Sequence, residues 1–133
     1  MNKEIQTYNS LLSKEGKKIC NLLAKEVNAG LPEAESKIWH RTAVWFLDGN
    51  PIVAYSVRKG DRISVMFFSG QSFEEIDLTP EGKFKAAEVF YANVEEIKIT
   101  QLKRWLRKSK EIQWDYKHIV KRKGVLKKIV SPK

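Results

Sequence analysis

Apolar residues recur at helical spacing through residues 1–30 and then switch to alternation. Ile5, Tyr8, Leu11 and Leu12 lie three and four apart, as do Ile19, Leu22, Leu23 and Val27, which predicts helix. Gly16 favours two helices with a bend over one unbroken helix, because glycine in a helix costs about 1 kcal/mol relative to alanine. Asn28-Ala29-Gly30 offers a C-terminal cap and Pro32 blocks continuation, so Leu31 to Glu35 reads as a linker or a single turn. From residue 37 the stretch becomes rich in β-branched and aromatic residues. Asp48-Gly49 with Asn50-Pro51, and Lys59 to Arg62 around Gly60, are turn signals that divide it into three antiparallel strands at about 43–47, 52–58 and 62–68. Ser69 to Ser72 ends the run, and a loop carries Phe73, Glu74, Glu75, Ile76 and Asp77 to a turn at Thr79 to Gly82. A further strand fits about 84–91. Asn93 with Glu96 has the spacing of a reciprocal helix cap, and Leu102, Trp105 and Leu106 give the following helix its apolar stripe. The order predicts an α+β fold, with N-terminal helices and a C-terminal helix packed on an antiparallel meander of about four to five strands.

At 133 residues the chain has the length of one domain. No stretch approaches the roughly 20 apolar residues of a membrane span, and MNKEIQTYNS lacks the apolar core of a secretory signal. Cys20 is the sole cysteine, which rules out an internal disulfide. A cytoplasmic protein with no membrane partner is expected. The net charge of +9 is unevenly placed: residues 1–97 carry a balance of −2 and residues 98–133 a balance of +11. Such a surplus directs attention to a polyanion partner bound through the C-terminal cations.

Residues 112–123 fit either a short strand or a short helix, with the helix preferred. In either form Trp114 and Tyr116 dock on the body. The predicted organisation is therefore a domain at 1–117 and a basic extension at 118–133, docked at its start and mobile at its end. Arg104, Arg107, Lys108, Lys117, Lys121, Arg122, Lys123, Lys127 and Lys128 are the candidate phosphate contacts. No helix-turn-helix, ribonucleoprotein or zinc signature accompanies them, so non-specific nucleic-acid contact is the most they imply. Trp39, Trp45, Tyr55 and Phe68 lie on the meander, and with His40, Arg41 and Arg58 they form a candidate ligand groove for an unknown small molecule or protein. No catalytic residue is assigned, and an enzyme of unknown reaction on the sheet face is the remaining alternative, which would need His40 and a carboxylate within hydrogen-bond reach. Ser69 lacks the glycine of a nucleophile elbow, Cys20 lies on an apolar helix stripe, and the glycines form no phosphate loop.

The segments LPEAESKIWHRTAVWFLDGNPIVAYS, VMFFSGQSF and GKFKAAEVFYANVEEI, in that order, resemble the YdhG-like family, a domain-of-unknown-function group. The resemblance covers roughly residues 5 to 117. It implies a compact domain of helices on an antiparallel sheet. Some members are described as frataxin-like iron chaperones, which would make this chain a non-enzymatic accessory in iron delivery or cofactor assembly. No cofactor is evident from the residues themselves. Iron enters through the resemblance alone, with His40, Glu74, Glu75 and Asp77 as its candidate ligands.

Overall fold

A computed structural model of the chain describes residues 2–129. Two helices, α1 (Lys3–Ser10) and α2 (Lys14–Gly30), open the chain. Four strands follow as a meander: β1 (Glu35–Trp39), β2 (Thr42–Leu47), β3 (Asn50–Val57) and β4 (Ile63–Phe67). After them come β5 (Thr79–Pro80), β6 (Ala87–Tyr91) and α3 (Ile99–Glu111). The short strands β7 (Gln113–Trp114) and β8 (Lys128–Ile129) pair as a separate ribbon. The main sheet has six strands in the order β1-β2-β3-β4-β6-β5, with every pairing antiparallel. The α+β class is as the pattern predicts, with more strands than expected.

The N-terminal helix pair breaks earlier than Gly16. Ser13 caps α2, accepting from the Gly16 N–H at 3.1 Å, so the glycine sits inside the first turn. At α3, Glu96 accepts from the Asn93 N–H at 3.1 Å, yet this cap closes only a single 3₁₀ turn, Val94–Glu96. The α-helix proper starts at Ile99. Gly30 lets α2 end against α3, since a Cβ there would lie 2.9 Å from the Leu106 side chain.

Two tight hairpins set the strand register. Asp48 and Gly49 both take positive φ, the two-residue turn whose twist suits antiparallel strands. His40 and Arg41 do the same between β1 and β2, without a glycine to ease it. Alternation then sorts the side chains. Ala43, Trp45, Val53, Tyr55, Val65 and Phe67 face the helices and, with Leu23, Leu102 and Trp105, fill the core. The Tyr55 hydroxyl donates to Asn9 Oδ1 at 2.7 Å and Trp45 Nε1 donates to Asn28 Oδ1 at 2.8 Å, whereas the Tyr91 hydroxyl and the Trp105 indole N–H are buried without such a bond. Beside the outer strand, the Asn2 side-chain amide donates to the Ser36 carbonyl, and Glu4 Oε1 accepts from the Ile38 N–H at 3.2 Å.

The preferred helix over 112–123 is corrected by the structure. Residues 112–129 form a strap, extended at β7, turned through 117–124 and returning as β8. Ladder bonds to β8 and side-chain bonds to the body hold β7 extended and override the local helical pattern. Trp114 Nε1 donates to Ser72 Oγ at 3.0 Å, and the Tyr116 hydroxyl donates to the Phe68 carbonyl at 2.6 Å, so both aromatics dock as expected. The mobility expected at the end of the extension concerns residues 130–133, which lie outside the described residues. No helix among the described residues is long and apolar enough to cross a membrane.

Candidate functional site

The strap closes one side of a cleft whose other walls are the Asp48–Gly49 hairpin and the end of α3. The cleft has a volume of about 430 Å³, within the range that holds a small molecule. Its lining is apolar at Leu47 and Ile129 and charged at Lys110, Glu111, Asp115 and His118. Asn50 fixes the geometry. Buried at the start of β3, its amide donates to Gln113 Oε1 at 3.2 Å and to the Trp114 carbonyl at 3.0 Å, while its Oδ1 accepts from the Lys117 N–H at 3.0 Å. The Lys117 side chain lies across Gly49 and donates to the Asp48 carbonyl at 2.8 Å.

Asp115 and His118 form a built pair in this lining. His118 Nδ1 lies 3.0 Å from Asp115 Oδ2, and Arg122 donates to the same oxygen at 2.7 Å. The His118 contact, with Arg122 behind it, holds the Asp115 carboxyl below its ordinary range. With Nδ1 engaged, Nε2 is the ring nitrogen left to meet a ligand. This arrangement can orient a small molecule bearing both acidic and donor groups, since the lining offers Lys110 beside Glu111.

A second charged node pins the loop after β4. Glu75 accepts from Arg104 Nε at 2.9 Å and Nη2 at 2.7 Å, and from Lys108 Nζ at 2.6 Å. The Arg104 bonds above all hold its carboxyl well below the usual carboxylate range. The Trp105 indole N–H is buried with no hydrogen bond of standard geometry, yet it is close enough to favour the same charged form. Asp77 accepts from the Gln101 amide at 2.6 Å. These acids hold the loop to α3.

The structure does not bring the proposed iron ligands together. His40 is at the turn beside edge strand β1, whereas Glu74, Glu75 and Asp77 precede β5 on the opposite edge. Among the described residues no cluster of three or more His, Cys, Asp or Glu side chains is placed to hold a metal. The ligand-groove candidates are also divided. Trp45 and Tyr55 face the helices and are buried, because alternation turns them inward. Trp39, Arg58 and Phe68 lie on the outer face, with His40 and Arg41 at its rim. Of the polyanion candidates, Arg104 and Lys108 are paired with Glu75 and Arg122 with Asp115, while Lys117 reaches Asp48. Arg107, Lys121, Lys123, Lys127 and Lys128 are exposed. Cys20 is buried, and burial pushes its thiol up to about 12, in keeping with an inert side chain. Sequence reasoning missed His118 and Asp115. Their three-residue separation was the visible signal, but the cleft depends on a contact with Asn50 more than sixty positions away.

No family model matches the chain, and no curated protein matches it. Among solved structures, a protein of the DUF1801 family, YdhG of Bacillus subtilis, is similar over 91% of this chain and 92% of that one, with a TM-score of 0.57. At 10% sequence identity the likeness is one of fold. It agrees with the helices-on-sheet architecture that the resemblance implied.

Proposed function

We propose that the chain is a cytoplasmic, non-enzymatic binding domain whose site is the cleft between the Asp48–Gly49 hairpin, the end of α3 and the strap. The observation that carries this reading is the Asp115–His118 pair in the lining of a cavity of about 430 Å³. An apolar lining with a few convergent polar groups is the usual make-up of a small-molecule site. The ligand class that fits is a small polar molecule with an acid to meet Lys110 or His118 and a donor to meet Glu111. Iron delivery gains no support from the placement of His40, Glu74, Glu75 and Asp77.

The test is amide and imidazole NMR of the full chain against a panel of small carboxylic acids, amines and amino acids. Shifts are expected at the Asn50 and Gln113 side-chain amides and at His118, and His118→Ala should weaken the responding ligand about tenfold. A panel that shifts residues elsewhere, or a ligand indifferent to His118→Ala, overturns the cleft as the site.

A further inference from the structure

The outer face of the sheet carries a feature independent of the cleft. Its centre is made of small side chains: Val44 and Ala54 pair across β2 and β3, and Ser56 pairs with Ser64 across β3 and β4. Val44, Ala54, Ser64 and Phe46 are buried beneath larger side chains, and rings line the face around them. Trp39 and Phe46 have centroids 5.7 Å apart, Phe46 and Phe68 belong to one packed cluster, Phe68 and Tyr116 are 5.4 Å apart, and Tyr116 and Phe84 are 6.4 Å apart. The line crosses the face from edge strand β1 to the strap. Trp39 is 40% exposed at its outer end, and Phe68, Phe84 and Tyr116 are half-buried.

Cations accompany these rings. Lys37 Nζ lies 5.1 Å from the Phe46 centroid and Lys83 Nζ 5.2 Å from that of Phe84. Outside the line, Lys85 Nζ stands 4.7 Å from the Trp114 ring, and the Arg62 guanidinium 4.4 Å from Phe90. Of the acids on this side, Glu88 is held by Ser64 Oγ at 2.9 Å and by Arg58 at 3.6 Å. Glu35 and Glu81 stand at the two margins. An ammonium over a ring face is drawn there by the ring's quadrupole, which keeps positive charge beside the aromatic line.

We propose that this outer face binds single-stranded nucleic acid, its bases stacking on Trp39, Phe68, Tyr116 and Phe84 and its phosphates meeting Lys37, Arg41, Lys83 and Lys85. The rings meet edge to face, so the faces they leave open supply a sequence-tolerant platform, and flanking cations track the backbone. A duplex presents phosphates but no free base faces, so it engages only the charge. The same cations would attract an acidic peptide, but such a partner makes no use of a line of rings. With these four cations engaged, the log–log salt slope for a single strand is about −2.8.

The test is fluorescence anisotropy of the full chain with labelled single-stranded DNA and RNA of about 12 nucleotides, and with the matched duplex, at low salt. The single strands should bind at least fivefold more tightly than the duplex. Trp39→Ala should weaken them by about tenfold, and Lys37→Glu with Lys83→Glu by more. Lys17→Glu with Lys18→Glu changes the net charge equally on exposed α2 positions and should cost threefold at most. Circular dichroism confirms the fold of each variant. No single-strand binding, equal affinity for the duplex, or equal loss from the two charge-reversal pairs overturns the proposal. An acidic peptide that displaces the strand without sensing Trp39→Ala overturns it in favour of a protein partner.

Discussion

The two faces of the sheet come from the same strands, yet their surroundings differ completely. On the helix side, Trp45, Val53, Tyr55, Val65 and Phe67 meet α2 and α3, and each buried polar tip in that set has a partner. On the outer side the row Lys37, Val44, Ala54, Met66 and Glu88 runs from a cation to a carboxylate through small and flexible groups. Alternation decides which face a residue joins, and the covering layer decides what that face can tolerate. The helix side is therefore constrained by volume. The outer side packs only a small cluster of Val44, Phe46 and Ala54 with Phe68 against it and pairs a few charges, which leaves its margins free to carry recognition.

The contrast can be broken most sharply from the inside. Phe67→Ala should cost about 3–5 kcal/mol, because the ring is fully buried against Phe73 and Trp105. Chemical denaturation would show it as a lower midpoint with an unchanged slope. A loss below 1 kcal/mol would mean that the helix layer repacks freely. Next in size is Glu75→Gln, expected to cost about 1–2 kcal/mol, since it leaves Arg104 and Lys108 without their carboxylate and both cations are partly solvated. Its pH dependence has a definite sign. The Glu75 carboxyl titrates well below its unfolded value, so its contribution is present above about pH 4.5 and fades as pH falls below that. The stability gap between the parent and Glu75→Gln should narrow progressively in acid, and a gap constant down to pH 2 would deny the node its role.

Smaller effects sharpen the picture at the hairpin and on the outer face. Replacing His40 by Asn and Arg41 by Gly should raise stability by roughly 0.5 kcal/mol, because both positions hold positive φ that the native side chains resist. Thermal unfolding would register a rise of a few degrees. Trp39→Ala should change folding stability by no more than about 0.5 kcal/mol, given its exposure. A large loss there would make the outer rings a second core.

These same positions explain what could be read from the residues. Asp48-Gly49 and Gly60 announced their turns because glycine takes positive φ cheaply, and both turns are where the residues place them. The first hairpin was hidden because His40-Arg41 lacks that chemistry; cross-strand pairing from Glu35↔Phe46 to Trp39↔Thr42 imposes the turn. Strand β5 is two residues long and contains Pro80, too little for alternation to register. Asn93 and Glu96 were legible as a cap, but the length of the capped segment depends on packing further along the chain. Of the candidate site, the docking of Trp114 and Tyr116 was visible in their aromatic character. The cleft was not, because Asn50, read locally as part of a turn, spends its amide on the strap.

The bonds from Asn2 to Ser36 and from Glu4 to Ile38 have a consequence beyond helix placement. They occupy main-chain groups of the outermost strand, β1, that would otherwise invite a stranger's backbone. Removing residues 2–11 should turn this margin into a template for edge-to-edge addition. Light scattering should then detect growing oligomers at concentrations where the full chain stays dispersed. The first helix thus works as a guard against self-assembly as well as a part of the fold.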